Sequence, residues 1–219
     1  MSKKNISQEK IIQAFLSSAF DKSAGATSLA DVADSLEIKK ASLYNHFESR
    51  DAMYDASIEY CSEQIGQVEF VTQKVYEALA AGKITLQAAM KKLISRYFSL
   101  FDSEPLFKMY VFVHTEQYFN VKALKIVQNQ LEKITEDIKS LFTVIIKDKA
   151  EKEVKELALA STSLIQAQLD AYIAVRKETI RQNPESGAGS LFELPSDNNI
   201  INKACRLVEG FLSVITGAN

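Results

Sequence analysis

Very little in this sequence interrupts a helix. Three prolines and seven glycines punctuate 219 residues, tryptophan is absent, and few runs alternate apolar with polar residues. That scarcity excludes sandwiches and barrels, whose strands need turn residues about every 8–12 positions. The two cysteines, Cys61 and Cys205, lie far apart with no Cys-x-x-Cys spacing, which excludes a disulfide framework and leaves two reduced thiols. Apolar runs such as Met109 to Val113 fall far short of the ~20 residues that span a bilayer. The opening MSKKNISQEK has no apolar signal region, so a cytoplasmic chain without membrane contact is expected. There is no Gly-rich phosphate loop, no HExxH and no GxSxG, and neither histidine has a cysteine or carboxylate at ligand spacing on its own helix. The acidic stretch Glu151 to Glu156 mixes with lysine at helical spacing and reads as a solvated face. No catalytic residues, metal or cofactor are expected, and the chain is not read as an enzyme.

An excess of positive charge is also missing. The net charge is −2, and residues 1–55 hold seven Lys/Arg against eight Asp/Glu. A general nucleic-acid binder is thereby excluded. Any DNA footprint must be local, with Lys3, Lys4, Lys39, Lys40 and Arg50 on one face and Asp31, Asp34 and Glu37 pointing elsewhere. Specific binding with weak non-specific affinity follows.

What is present is a 47% hydrophobic chain rich in Ala, Lys, Glu and Leu at helical spacing, expected to be all-α. Its most informative stretch runs from Ser28 to Met53. Ser28 and Asp31 form the Ser-x-x-Asp version of a capping box, so a helix begins there. Leu29, Val32, Ala33 and Leu36 recur at i, i+3, i+4 and i+7 along one short apolar face, and the pattern breaks at Glu37-Ile38-Lys39. A second helix, from Lys40 to about His46, turns Leu43 and Phe47 inward and spreads Lys40, Ala41, Ser42, Tyr44, Asn45 and His46 over the remaining surface. Ala41 and Ser42 are small enough for close approach to base edges. Lys40 and Asn45 suit base reading, while Lys39, Tyr44, His46 and Arg50 suit phosphates. Ser49 caps a third helix, expected to be long, whose N-terminal amides also favour an anion. The pattern reads as a helix-turn-helix that docks on double-stranded DNA.

The run Leu43-Tyr44-Asn45-His46-Phe47-Glu48-Ser49-Arg50-Asp51 matches the "LYxHFxSK" signature of the TetR family of bacterial transcriptional repressors, which this chain resembles over roughly residues 8 to 55. The resemblance places Thr27 and Ser28 near phosphate at the start of the second helix, Lys39 at the cap of the recognition helix, and Ala41 to His46 in the major groove. Arg50 takes the position usual for lysine. Glu37 stands where the family usually has a turn glycine, and Lys39 replaces a usual Ser or Thr cap.

Ahead of this stretch, Ser7 caps a first helix in which Ile11-Phe15-Ala19 and Ile12-Leu16-Phe20 form two adjoining apolar rows, ending near Ala24-Gly25. Beyond it, the helix from Ser49 is expected to run to about Ala80, followed by Thr85 to Phe101, then Pro105 through Gln117, Val121 to Ile146 and Glu151 to Gln182. Asn183 to Asn198, with Pro184, Gly187, Gly189 and Pro195, reads as a long loop before a last helix at about Asn199 to Thr216. Nine helices in all is also the TetR-family count. The expected division is a DNA-binding domain over 1–50 and a ligand-binding and dimerisation domain over 51–219.

Aromatic residues concentrate from Ile94 to Phe119. On the residues alone this segment is as much a bundle core as a small-molecule pocket. The resemblance selects the pocket, and the candidate ligand-binding residues are Phe98, Phe101, Phe107, Tyr110, His114, Gln117 and Tyr118, facing an apolar or aromatic effector. The helix from Glu151 carries two rows. Val154, Leu157, Ala158, Ser161, Ile165, Gln168, Leu169 and Tyr172 need a core. Ala160, Leu164, Ala167, Ala171 and Ala174 form a narrower row that needs either a larger core or a partner, as do Leu207, Phe211 and Ile215 on the last helix. The resemblance favours a partner, a second copy packed as a four-helix homodimer interface. The sequence thus reads as a ligand-responsive repressor that binds a palindromic operator and is released by its effector. A cytosolic small-molecule binding protein or a helical interaction scaffold, without DNA binding, are the alternatives.

Overall fold

A computed structural model describes residues 6–183 and 198–216 and, for residues 215 and 216, the backbone alone. Lys3, Lys4, the loop with Pro184, Gly187, Gly189 and Pro195, and the side chain of Ile215 lie outside the described residues. Among the described residues every regular element is a helix, ten in number: α1 (Gln8–Lys22), α2 (Leu29–Ser35), α3 (Lys40–Leu43), α4 (Arg50–Gly66), α5 (Gln73–Ala80), α6 (Leu86–Phe101), α7 (Leu106–Glu116), α8 (Val121–Ile145), α9 (Glu151–Gln182) and α10 (Asn198–Thr216). The all-α expectation holds.

Helix starts follow the capping residues. The Ser7 side chain accepts from Lys10 N at 3.3 Å, Ser49 from Ala52 N at 3.0 Å and Thr85 from Ala88 N at 3.2 Å, each satisfying an amide that has no partner within its own helix. At α2 the box is reciprocal. Asp31 N donates to Ser28 Oγ at 3.2 Å while Ser28 N donates to Asp31 Oδ2 at 2.7 Å.

The expected helix from Ser49 to Ala80 is two helices. α4 stops at Gly66 and α5 starts at Gln73. Gly66 is a poor helix residue, and Val68, Val71 and Thr72 behind it are β-branched and stiff. Side chains from other elements then take up the freed backbone groups of the connection. Lys133 Nζ donates to Val68 O at 3.1 Å, Arg96 to Glu69 O at 2.6 Å, and Val71 N donates to Asp137 Oδ2 at 3.2 Å. Phe70 is buried edge-on against Tyr97 at 5.3 Å. The described residues thus hold ten helices, nine of them seven residues or longer, in keeping with the expected nine. α3 is also shorter than expected, and Tyr44 to His46 continue as turns in which His46 N donates to Leu43 O at 2.9 Å.

The chain forms two compact units. One comprises Met1–Gln67 with Glu104–Gln128, the other Val68–Ser103 with Asn129–Asn219. In the first, α1 packs on α2, α4 and α7, α2 on α3, and α4 on α7. Both predicted rows of α1, Ile11-Phe15-Ala19 and Ile12-Leu16-Phe20, are buried. Phe15, Tyr54 and Phe112 meet edge to face with centroids 5.9–6.3 Å apart. In the second unit α10 packs on α6 and α9, with further packing of α6 on α5 and on α9. Arg176 on α9 pairs with Asp102, just past α6, at 2.9 Å, both largely buried.

Candidate nucleic-acid interface

Leu43 and Phe47 point inward, as their spacing predicts, and are 1% and 8% exposed. That anchoring leaves Lys39, Lys40, Ala41, Tyr44 and Asn45 exposed, with Ser42 and His46 half-buried. Seven of the ten candidate DNA-contacting residues thus share one short segment, and most of their side chains are open to a groove. Gln8 on α1 ties that segment to the supporting helix by donating to His46 O at 3.0 Å.

The turn before α3 is made without glycine. Glu37 adopts φ 55°, the left-handed region, and Lys39 sits at the N-cap with no side-chain cap bond. An ammonium only donates and cannot cap the amides of α3, and the Lys39 side chain stands exposed.

Thr27, Ser28 and Arg50 lie differently. Thr27 is 1% exposed and its hydroxyl donates to Ser23 O at 2.8 Å. Ser28 is exposed, and its hydroxyl donates to Asp31 Oδ2 at 2.7 Å. Asp31 is gripped from a second side by Lys22 Nζ at 2.5 Å, and the Lys22 bond followed by the Ser28 bonds holds its carboxyl well below the usual carboxylate range. Arg50 Nε donates to Thr27 O at 2.8 Å, a second guanidinium nitrogen donates to Ala24 O, and the third stands 3.5 Å from Asp51 Oδ1. The guanidinium also lies over the Phe15 ring, 5.9 Å from its centroid. Lys22 was not anticipated from the sequence. Its signal is a cation in the last turn of one helix, nine residues before the acidic member of a capping box.

The aromatic candidates fall in separate units. Phe98 and Phe101, in the second, are fully buried, Phe98 against Tyr172 at 5.7 Å and Phe101 against Tyr97 at 4.9 Å. In the first, Phe107 packs on Phe20 at 5.4 Å, and Tyr110 stacks on His114 at 3.8 Å. Gln117 donates to His114 O at 2.7 Å, and Tyr118 is 79% exposed. Within each unit, then, most of these rings are packed on other rings. Sequence reasoning missed a polar trio here. Tyr54 OH donates to Glu116 Oε2 at 2.7 Å and accepts from Asn120 Nδ2 at 3.3 Å. Burial, and then the Glu116 carboxylate, push the Tyr54 hydroxyl up to about 12.

On α9 the narrow row is open. Ala160, Ala167, Ala171 and Ala174 are exposed and Leu164 is half-buried, with Leu159 and Val175 also exposed beside them. On α10 Leu207 is exposed and Phe211 half-buried.

Residues 11–57 match the family model of bacterial regulatory proteins, tetR family. Over these residues the chain is similar to the tetR family. Over 66 residues the chain is 35% identical to the biofilm operon icaADBC HTH-type negative transcriptional regulator IcaR of Staphylococcus aureus, a match covering 30% of this chain and 36% of that protein. Beyond these residues the likeness is one of fold. A TetR-like transcriptional regulator from Rhodococcus sp. RHA1 superposes with TM-score 0.59 at 14% identity, over 100% of both chains. A tetR-family transcriptional regulator from Streptomyces coelicolor gives 0.59 at 15%, over 96% of this chain and 82% of that one. A TetR transcriptional regulator from Legionella pneumophila gives 0.53 at 18%, over 94% and 98%.

Proposed function

We propose that the protein is a transcriptional repressor that binds a palindromic operator as a homodimer and is released by a small apolar or aromatic effector. The observation that carries this reading is the exposed polar face from Lys39 to His46, anchored by buried Leu43 and Phe47 inside a tetR-family module. Lys40, Ser42 and Asn45 read base edges, and Lys39, Tyr44 and His46 take phosphates. Repression is supported by the negative regulator matched over this module. Residues 1–50 serve as the DNA-binding domain and 51–219 as the sensing and dimerising domain, and the protein works in the cytoplasm, where its DNA is. Among the described residues no helix is long and apolar enough to cross a membrane.

The helix after Ser49 ends at Gly66, so an effector moves the reading segment through nearer pieces than a single helix to Ala80. The pieces closest to α1–α3 are α4 and α7, both packed on α1, and an effector that shifts either one moves the reading segment.

The test is to recover the genomic fragments that the purified protein retains and to footprint them. A symmetric footprint with half-sites about 34 Å apart is expected. Asn45→Ala then relaxes base preference at one position per half-site, at about 1–3 kcal/mol. Binding no fragment above background, or losing nothing on Asn45→Ala, overturns the reading.

A further inference from the structure

Arg50 is the one cation of the module's signature whose guanidinium turns into the protein. Its three nitrogens are all engaged within the module, on Thr27 O, on Ala24 O and beside Asp51. Two of these acceptors belong to the connection between α1 and α2, which contains Ser23 at φ 83° and ψ 155°, a backbone region that side chains other than glycine rarely enter. Such a conformation persists only where its surroundings over-determine it. Ser23 N donates to Ala19 O at 2.8 Å and Ser23 Oγ accepts from Ala26 N at 3.4 Å. Ser23 O accepts from the Thr27 hydroxyl, Ala24 O accepts from Thr27 N at 3.2 Å, and Arg50 spans both ends of the connection from the first residue of α4. The connection leads directly into the Ser28–Asp31 box that starts α2, and α2 packs on α3, which carries the exposed groove-facing residues.

We propose that Arg50 is a positioning residue, a clamp that fixes the start of α2 against α4 so that α3 is held at the angle DNA requires, and is not itself a phosphate contact. The proposal rests on the reading above that this module binds DNA. A guanidinium suits the task because its planar fork presents parallel donors to two separate carbonyls while its face lies on the Phe15 ring. A lysine ammonium carries the same charge without the fork or the planar face.

The two roles separate in Arg50→Lys and Arg50→Met, with Lys39→Ala as the phosphate-contact control. The probe is the duplex that the wild-type protein enriches from a randomised library, titrated across salt concentrations. A clamp predicts that Arg50→Lys binds about tenfold more weakly at every salt concentration, the worth of one hydrogen bond from a charged donor. Under the clamp Arg50→Met also weakens binding while leaving the slope of log K against log salt unchanged. The Lys39→Ala slope falls by about 0.9. A second readout needs no DNA. Amide hydrogen exchange from Thr27 to Val32 quickens in both Arg50 variants while the Phe15 amide stays protected. If no duplex is enriched, the functional reading fails and the exchange experiment still decides the clamp. The clamp is overturned if Arg50→Lys binds like wild type while the Arg50→Met slope falls by about 0.9, or if exchange at Thr27 to Val32 is unchanged.

Discussion

Glu37 shows what a single residue costs when a turn demands a backbone its side chain resists. Its position, where a turn glycine is usual, was visible in the sequence, and its φ of 55° shows that the turn keeps its geometry all the same. A non-glycine residue in the left-handed region is strained by about 1–2 kcal/mol, and glycine there returns part of its gain through the greater freedom of the unfolded chain. Glu37→Gly is therefore expected to stabilise the protein by about 0.5–1 kcal/mol in denaturant unfolding. A loss of stability would show that the Glu37 side chain contributes more than its backbone costs. Asp31 makes a pH prediction at the same scale. Its folded value lies below its ordinary 3.8, so the bonds from Lys22 and Ser28 add stability above 3.8 that is lost as pH falls below it. The melting temperature of wild type should exceed that of Asp31→Asn at neutral pH, and the gap should close as the solution is acidified past 3.8. Cys61 is buried and its thiol is pushed up to about 12, so it should react with thiol reagents only after unfolding.

At the scale of elements, the periodic signal was sufficient where one helix buries one face, with a capping side chain at the start of α1, α2 and α6 and none at α9. α1, α2, α6 and α9 all lie within a residue or two of where Ser7, Ser28, Thr85 and the Glu151 pattern put them. It failed between α4 and α5 because the interruption there is tertiary. Asp137, Arg96 and Lys133, distant in sequence, satisfy the backbone of residues 68–71, and no local period reports that. The Tyr54–Glu116–Asn120 trio was illegible for the same reason, since it joins α4 to the end of α7 across more than 60 residues. Glu116 is only 9% exposed, so removing its donor leaves a carboxylate short of a partner in a half-dry site. Tyr54→Phe keeps the ring packing on Phe15 and Phe112 and is expected to cost about 1–3 kcal/mol. Adding Glu116→Gln should recover part of that loss, and strictly additive effects would show that the two side chains are not coupled. Because the Tyr54 hydroxyl titrates near 12 rather than 10, its contribution is complete below pH 10 and fades as pH rises through 12.

For the whole molecule, the exposed row of α9 settles which experiment matters most. Alanines at 160, 167, 171 and 174 leave a shallow strip into which another helix can approach closely, and Leu159, Val175 and Leu207 are exposed large apolar residues on α9 and α10. The sequence could separate this row from the buried one by its small side chains, but it could not tell an open face from a larger core, because both require apolar residues at the same spacing. The exposure of the strip favours a partner, and under the proposed function that partner is a second copy. In such a dimer a glutamate placed on the strip must be desolvated, which makes dimerisation costly. Ala171→Glu is expected to sediment as a monomer with an unchanged far-ultraviolet spectrum, because residue 171 is exposed in the single chain. Its affinity for a single half-site should remain near the wild-type value, while its affinity for the full operator collapses to that of the half-site. An Ala171→Glu protein that still sediments as a dimer would place the interface elsewhere, and one that is monomeric yet binds the full operator as tightly as wild type would show that a single reading segment suffices.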